Sequence, residues 1–246
     1  HVHLEEGVVL AEIRPVLNVG KSKVFRNADP TGLSGGEQAT AAAVAVFGDE
    51  YQYRIDWIKD RKWMIDMARL ADAKICAIRD EKGKTLAAGT TATAVWVQGR
   101  ELYWISCGDS RMYLFHDEAS TQVSTDLNYS YLLEQKRRDG AISQEQYQQE
   151  IRRGASLISF LGQGKLTLMD RNLDALKLYP GDVILLCTDG LYHTLDENWM
   201  RETLRRSGSM EQAARTFAWA VEKYGPGHQD NYTGLLIKVL RTDGLE

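Results

Sequence analysis

Three aspartates of this 246-residue chain share one context, the point where an apolar run meets a turn. Asp109 follows LYWISC, Asp189 follows VILLCT, and Asp230 with Asn231 precedes YTGLLIKVL. A carboxylate at a rigid strand end keeps its oxygens fixed, and hard divalent cations such as Mg²⁺ and Mn²⁺ prefer oxygen ligands. Taken singly, each reads as a turn aspartate. Three such strand ends converging on one sheet edge would set carboxylates against one another until cations neutralised them, so together they suggest a metal cluster.

The element that must position Asp189 is the clearest in the chain. Val183–Cys187 is an apolar run bounded by Pro180-Gly181 and Asp189-Gly190, as expected of a buried strand between turns. Toward the N-terminus, Gly7–Ile13 predicts a strand, and Pro15 followed by Val16–Gly20 predicts a second short one. Ser34 is placed to cap an Ala-rich helix over Gly36–Phe47, with Gly48 as its breaker. Apolar residues at three- and four-residue steps predict one long amphipathic helix from Tyr51 to Arg79. The period then changes. Leu86–Gln98, Leu102–Cys107 and Met112–Phe115 read as strands of an antiparallel meander, with Gly108–Arg111 as a tight connection. Residues 126–164 are polar and helix-prone, read as a solvated face. Helices are expected at Asp196–Arg206 and Met210–Tyr224, and a last strand at Tyr232–Leu240. No repeat, low-complexity tract or linker divides the chain, so residues 1–246 are expected to form a single domain.

Composition narrows the function. A net charge of −4 with both signs interspersed offers no basic stripe for nucleic acid or an anionic membrane. Cys76, Cys107 and Cys187 are odd in number and sit in apolar surroundings, which suits neither a disulfide framework nor a zinc site. No apolar run nears the roughly 20 residues that span a bilayer, and the opening HVHLEEG has no signal-peptide pattern. A cytoplasmic protein with reduced thiols is expected.

Three segments carry a family resemblance. AAGTTATAVWVQGRELYWISCGDSRMYLF (Ala87–Phe115) is similar to the GTTA and GDSR segments of the metal-dependent type 2C serine/threonine protein phosphatases. LYPGDVILLCTDGLYHTLDE (Leu178–Glu197) and QDNYTGLLIKV (Gln229–Val239) resemble that family's "pGD…LLcSDGL" and "DN.T" segments, in the same order. The resemblance implies an α+β fold, a four-layer α-β-β-α sandwich in which two antiparallel sheets are flanked by helix pairs. It further implies a binuclear Mg²⁺ or Mn²⁺ centre, with Asp189 and Asp230 on the first ion and Asp109 with Asp189 on a weaker third. Residues 127–164 would form the family's variable flap. The implied activity is hydrolysis of phosphoserine and phosphothreonine in proteins, including the substrates of a partner Ser/Thr kinase, by a monomer. The family's "DHS" segment is represented by Asp126-Leu127-Asn128, so its histidine is absent.

The N-terminal signatures are compressed. RNADPTGLSGGEQAT (Arg26–Thr40) resembles two family segments run together, making Asp29 the candidate bridging ligand and Arg26 the candidate phosphate-binding residue. Pro30 stands where the family has a metal-binding Gly. That departure defines the alternative, an inactive relative that uses the same fold as a binding module.

Overall fold

The computed structural model describes residues 11–17, 35–54, 62–80, 82–226 and 232–240. Along the chain these form β1 (Ala11–Leu17), α1 (Gly35–Arg54), α2 (Lys62–Cys76), β2 (Ala92–Gln98), β3 (Glu101–Cys107), β4 (Arg111–His116) and β5 (Ala119–Gln122). There follow α3 (Tyr129–Arg138), α4 (Gln144–Glu150), β6 (Asp170–Arg171), β7 (Leu176–Lys177), β8 (Val183–Cys187), α5 (Asp189–Tyr192), α6 (Glu197–Arg206), α7 (Met210–Tyr224) and β9 (Thr233–Val239). The first sheet has the order β1-β9-β8-β4-β5, and the second has β2-β3-β6 with β7 also on β3. All the pairings are antiparallel.

The uninterrupted apolar run of β8 follows from burial on both faces. Val183, Leu185 and Cys187 point to a core shared with Met200, Leu204, Phe217 and Val221 of α6 and α7. Ile184 and Leu186 point the other way, into the layer between the sheets with Leu102, Met112 and Ile237. In β3 the same two-residue alternation sends Ile105 and Cys107 toward Met64, Ala68, Ala71 and Ile75 of α2. The expected four-layer sandwich results, helix pair, sheet, sheet, helix pair. Each fully buried Leu or Ile contributes roughly 1.5–3 kcal/mol of transfer free energy, so three contiguous apolar clusters fix the mutual placement of the sheets.

Several expectations are corrected. One strand, β1, replaces the two predicted between Gly7 and Gly20. Pro15 lies within it, tolerated because β1 is an edge strand paired only with β9. Helix α1 runs through Gly48, where a lone helical Gly costs about 1 kcal/mol relative to Ala, while Ala39, Ala43 and Val46 are buried to hold the helix down. Of the single helix expected over Tyr51–Arg79, Tyr51–Arg54 lie in α1 and Lys62–Cys76 form α2, while residues 55–61 lie outside the described residues. Strand β2 starts at Ala92 rather than Leu86, because Thr90 exchanges backbone hydrogen bonds with Leu161 instead. The meander is also overturned: β3 belongs to the second sheet and β4 to the first, so Gly108–Arg111 crosses between sheets. Helices α6 and α7 and strand β9 fall where the sequence places them. Ser34 lies outside the described residues. Among the described residues, no helix is long and apolar enough to cross a membrane.

Candidate active site

The crossing between sheets is built from small polar residues. Gly108 has φ +108°, and a Cβ there would lie 2.3 Å from the Thr91 Cγ2 atom, so only glycine fits. The next turn is held by hydroxyls. Thr91 Oγ1 and Ser110 Oγ are 2.9 Å apart, Thr93 Oγ1 donates to the Ser110 carbonyl at 3.1 Å, and Ser106 Oγ reaches the same carbonyl at 3.3 Å. The GTTA segment thus serves as the scaffold of the GDSR corner, and Thr40 of α1 joins it through the Thr90 hydroxyl at 3.0 Å. Asp109 sits on this corner, half-buried.

Strand β8 delivers Asp189 to the same end. Its last residue, Cys187, is in register with Arg111, the first of β4, so the residues flanking Asp109 and Asp189 lie side by side. Asp189 opens the short helix α5 and is buried at 8% exposure, with its Oδ1 accepting from Gly190 N–H at 2.9 Å. Thr188 is clamped on the far side. Its N–H donates to the Thr233 carbonyl at 3.0 Å, and its Oγ1 accepts from Thr233 N–H at 2.9 Å. Thr233, three residues after Asp230 in sequence, therefore adjoins the Asp189 corner. Asp230, Asp29 and Arg26 themselves lie outside the described residues, as does His228. Of the proposed ligands, the structure brings Asp109 and Asp189 to one edge. Among the described residues, no three or more His, Cys, Asp and Glu side chains group to hold a metal ion.

Sequence reasoning missed the charged network beside this edge. Arg111 makes a two-pronged pair with Asp126, Nε to Oδ1 at 3.0 Å and Nη2 to Oδ2 at 2.8 Å, and its Nη1 donates to the Tyr113 hydroxyl at 2.9 Å. Gln122 adds a donor to Asp126 at 2.9 Å. The guanidinium carbon stands 3.7 Å from the centre of the Tyr192 ring, and the Tyr192 hydroxyl donates to the Asp109 carbonyl at 2.9 Å. Burial works against the Arg111 charge, but the hydrogen bonds it donates to Asp126 and Tyr113 outweigh it and raise the pKa, so Arg111 stays cationic. Burial, then the Asp109 and Asp126 carboxylates, push the Tyr192 phenol up, so it remains a donor. The signal available in sequence was an Arg one residue past the corner with an Asp in the segment replacing the family's "DHS". Neither named Tyr192 as the link.

The segment from Leu127 starts at this corner. Leu127 N–H donates to the Gly108 carbonyl at 2.8 Å, and Ile158 N–H returns to the Leu127 carbonyl at 3.0 Å. Asn128 caps α3 and Ser143 caps α4 with a full capping box to Gln146. Only Leu133 is buried on α3 and nothing on α4, which agrees with a solvated face.

Among the described residues, the thiols and histidines are poorly placed for nucleophilic work at this edge. Burial pushes the Cys107 and Cys187 thiols up to about 12, so neither offers a thiolate at neutral pH. His193 is exposed, its ring edge against Tyr192, and His116 lies at the opposite end of β4. What the edge offers is carboxylate oxygen on backbone-fixed corners, a donor set that suits Mg²⁺ or Mn²⁺.

Fold and edge together define a two-sheet sandwich of the α-β-β-α class with an acidic end. Residues 51–148 match the family described as Protein phosphatase 2C. The serine/threonine phosphatase stp of Listeria innocua is 24% identical over 234 residues, 90% of this chain and 90% of that protein. Among solved structures, the S. agalactiae serine/threonine phosphatase shares the fold with a TM-score of 0.71 at 17% identity, over 94% of this chain and 100% of that one. The catalytic domain of the serine/threonine protein phosphatase PstP, in complex with 2 manganese ions, has a TM-score of 0.65 at 21% identity, over 95% of this chain and 99% of that one. The chain is thus similar in sequence to the protein phosphatase 2C family over its middle part and shares the fold of the solved serine/threonine phosphatases.

Proposed function

We propose that this protein is a Mg²⁺- or Mn²⁺-dependent phosphatase that hydrolyses phosphoserine and phosphothreonine in proteins. The observation that carries the reading is the delivery of Asp109 and Asp189 to one edge by the β4–β8 register and the Tyr192 bond. Asp189 and Asp230 would hold one ion, Asp29 would be the bridging ligand, Asp109 with Asp189 would hold a weaker third, and Arg26 would bind the phosphoryl group. Such cations, when bound, supply activation of water at neutral pH and neutralisation of phosphoryl charge. The chain's own part is to hold carboxylate oxygens still, at strand ends whose neighbours are hydrogen-bonded on both sides, so that little reorganisation is left for the reaction. Burial of the Cys107 and Cys187 thiols argues against a cysteinyl phosphoenzyme. The flap over residues 127–164 stands beside the corner and contributes to substrate choice. The substrates are cytoplasmic phosphoproteins, among them those of a partner Ser/Thr kinase, and the protein works as a monomer.

The test is hydrolysis of an aryl phosphate and a phosphothreonine peptide with added Mn²⁺. Turnover that requires Mn²⁺, stops with EDTA and is lost in Asp189→Asn supports the reading, and EDTA-resistant turnover rules it out. Calorimetric titration that finds no Mn²⁺ binding, together with no turnover, would instead identify the binding-module alternative.

A further inference from the structure

We infer that Tyr192 is a positioning residue that sets the distance between Asp109 and Asp189 and thereby the affinity of the edge for divalent cations. The inference rests on the phosphatase reading above and deepens it. The two aspartates are 80 residues apart in sequence and come from different elements. Asp109 rides on a crossing whose only glycine, Gly108, has φ +108°, while Asp189 opens the four-residue helix α5. Strand pairing ends at Arg111 and Cys187, one position short of Thr188 and Ser110, so the ladder itself does not fix the corner against the helix.

Tyr192 closes that gap from the last position of α5. Its hydroxyl donates to the Asp109 main-chain carbonyl at 2.9 Å, so it grips the backbone of one candidate ligand from the helix that begins with the other. The ring cannot swing away, because the Arg111 guanidinium covers it at 3.7 Å and is locked by two hydrogen bonds to Asp126. Asp126 is steadied in turn by Gln122. The path from Asp189 through Tyr192 to Asp109 is a closed loop of covalent and hydrogen bonds, with the Arg111–Asp126 pair as its back wall. Two carboxylates repel, and an edge that resists their separation binds a shared cation more tightly than one that yields. Outer groups that orient metal ligands characteristically change affinity by 10- to 100-fold when removed.

The test compares wild type with Tyr192→Phe, which keeps the ring and removes the hydroxyl, and with Tyr103→Phe as a control. Tyr103 donates to Glu101 at the far end of β3, so its loss removes a tyrosyl hydroxyl without touching the edge. Calorimetric titration with Mn²⁺ is the primary readout, with melting temperature and steady-state kinetics alongside. The expected result is roughly tenfold weaker Mn²⁺ binding in Tyr192→Phe, with no change in Tyr103→Phe. The kcat deficit should disappear at saturating Mn²⁺ while KM for an aryl phosphate stays unchanged. A purely structural tyrosine would lower the melting temperature and leave the Mn²⁺ titration where it was, and that outcome overturns the inference. If Tyr192→Phe does not fold, Arg111→Lys, which loses the two-pronged pair and the stacked plane, is judged by the same Mn²⁺ titration. Wild type that binds no Mn²⁺ sinks the phosphatase reading and this inference together, whereas unaltered affinity in the variant sinks the inference alone.

Discussion

Strand β8 is flanked by two buried aspartates whose surroundings differ. Asp182, 2% exposed, precedes Val183, and Asp189, 8% exposed, follows the strand by two residues. Both oxygens of Asp182 are taken by protein donors: Oδ2 accepts from Tyr179 N–H at 2.8 Å and Oδ1 lies 2.6 Å from His116 Nδ1. Its main chain is engaged too, the carbonyl accepting from Val239 N–H at 2.8 Å. That is a carboxylate used to stitch β4, β8 and β9 together. Asp189 is instead set beside a second acidic residue on a corner that strand pairing and hydroxyls hold in place. One local pattern, aspartate against a turn at a strand end, thus serves structure at one edge and, on the proposed reading, chemistry at the other. The difference lies in what faces each carboxylate, not in the strand.

The largest effect should come from exchanging the charge at each end. Asp189→Asn is expected to lower Mn²⁺-dependent turnover of an aryl phosphate by at least about a hundredfold while melting close to wild type, since the amide keeps the shape and sheds a charge repelled by its neighbours. Asp182→Ala should do the reverse. Losing the acceptor for a buried N–H and for His116 costs about 2–3 kcal/mol, read as a lower urea midpoint, with Mn²⁺-saturated turnover per folded molecule retained. Mn²⁺ should raise the melting temperature of Asp182→Ala but not of Asp189→Asn. A single variant that lost both stability and activity would break the contrast.

The second comparison uses two glycines of nearly equal φ. Gly108 at the site edge and Gly181 at the opposite edge have φ of +108° and +102°. A Cβ on Gly181 meets nothing within 4 Å, whereas on Gly108 it strikes Thr91. Gly181→Ala is expected to cost about 1–2 kcal/mol, the backbone term alone. Gly108→Ala adds overpacking of a further 1–3 kcal/mol or so and displaces the Asp109 corner, so it should also weaken Mn²⁺ binding. Urea melts of the pair separate the terms. Equal costs would show that the Thr91 contact is relieved by local movement.

What the sequence disclosed follows the same division. The run from Val183 to Cys187 announced a buried strand between turns, and α6, α7 and β9 fall where the sequence places them. Asp109 and Asp189 stood out as candidates because three turn aspartates at strand ends form a pattern that a single one does not, and their placement at one edge is in line with that. Sheet membership was hidden, because LYWISCGDSRMYLF reads equally well as a hairpin or as a crossing between layers; only the partners of β3 and β4 decide. Tyr192 and Asp126 were hidden for another reason. Their roles depend on meeting Asp109 and Arg111 across the fold, and no spacing rule encodes that.

The smallest expected effect is a pH dependence confined to the Asp182 end. The hydrogen bond to Asp182 and its charge, with a lesser contribution from Asp117 at 3.6 Å, raise the His116 pKa above its ordinary value of 6.5, although the imidazole is 46% exposed. The folded state therefore binds this proton more tightly than the unfolded chain. Below pH 6.5 both states are protonated and the stabilisation is fully present; it fades as the pH rises through the elevated pKa and is absent above it. Urea midpoints taken from pH 5.5 to 8.5 should fall modestly across that window in wild type. His116→Gln, which can still donate to Asp182 but cannot titrate, should flatten the dependence without moving the Mn²⁺ titration at the other end of β8. An unchanged slope in His116→Gln would assign the dependence to some other group and leave Asp182 a purely neutral hydrogen-bond partner of the imidazole.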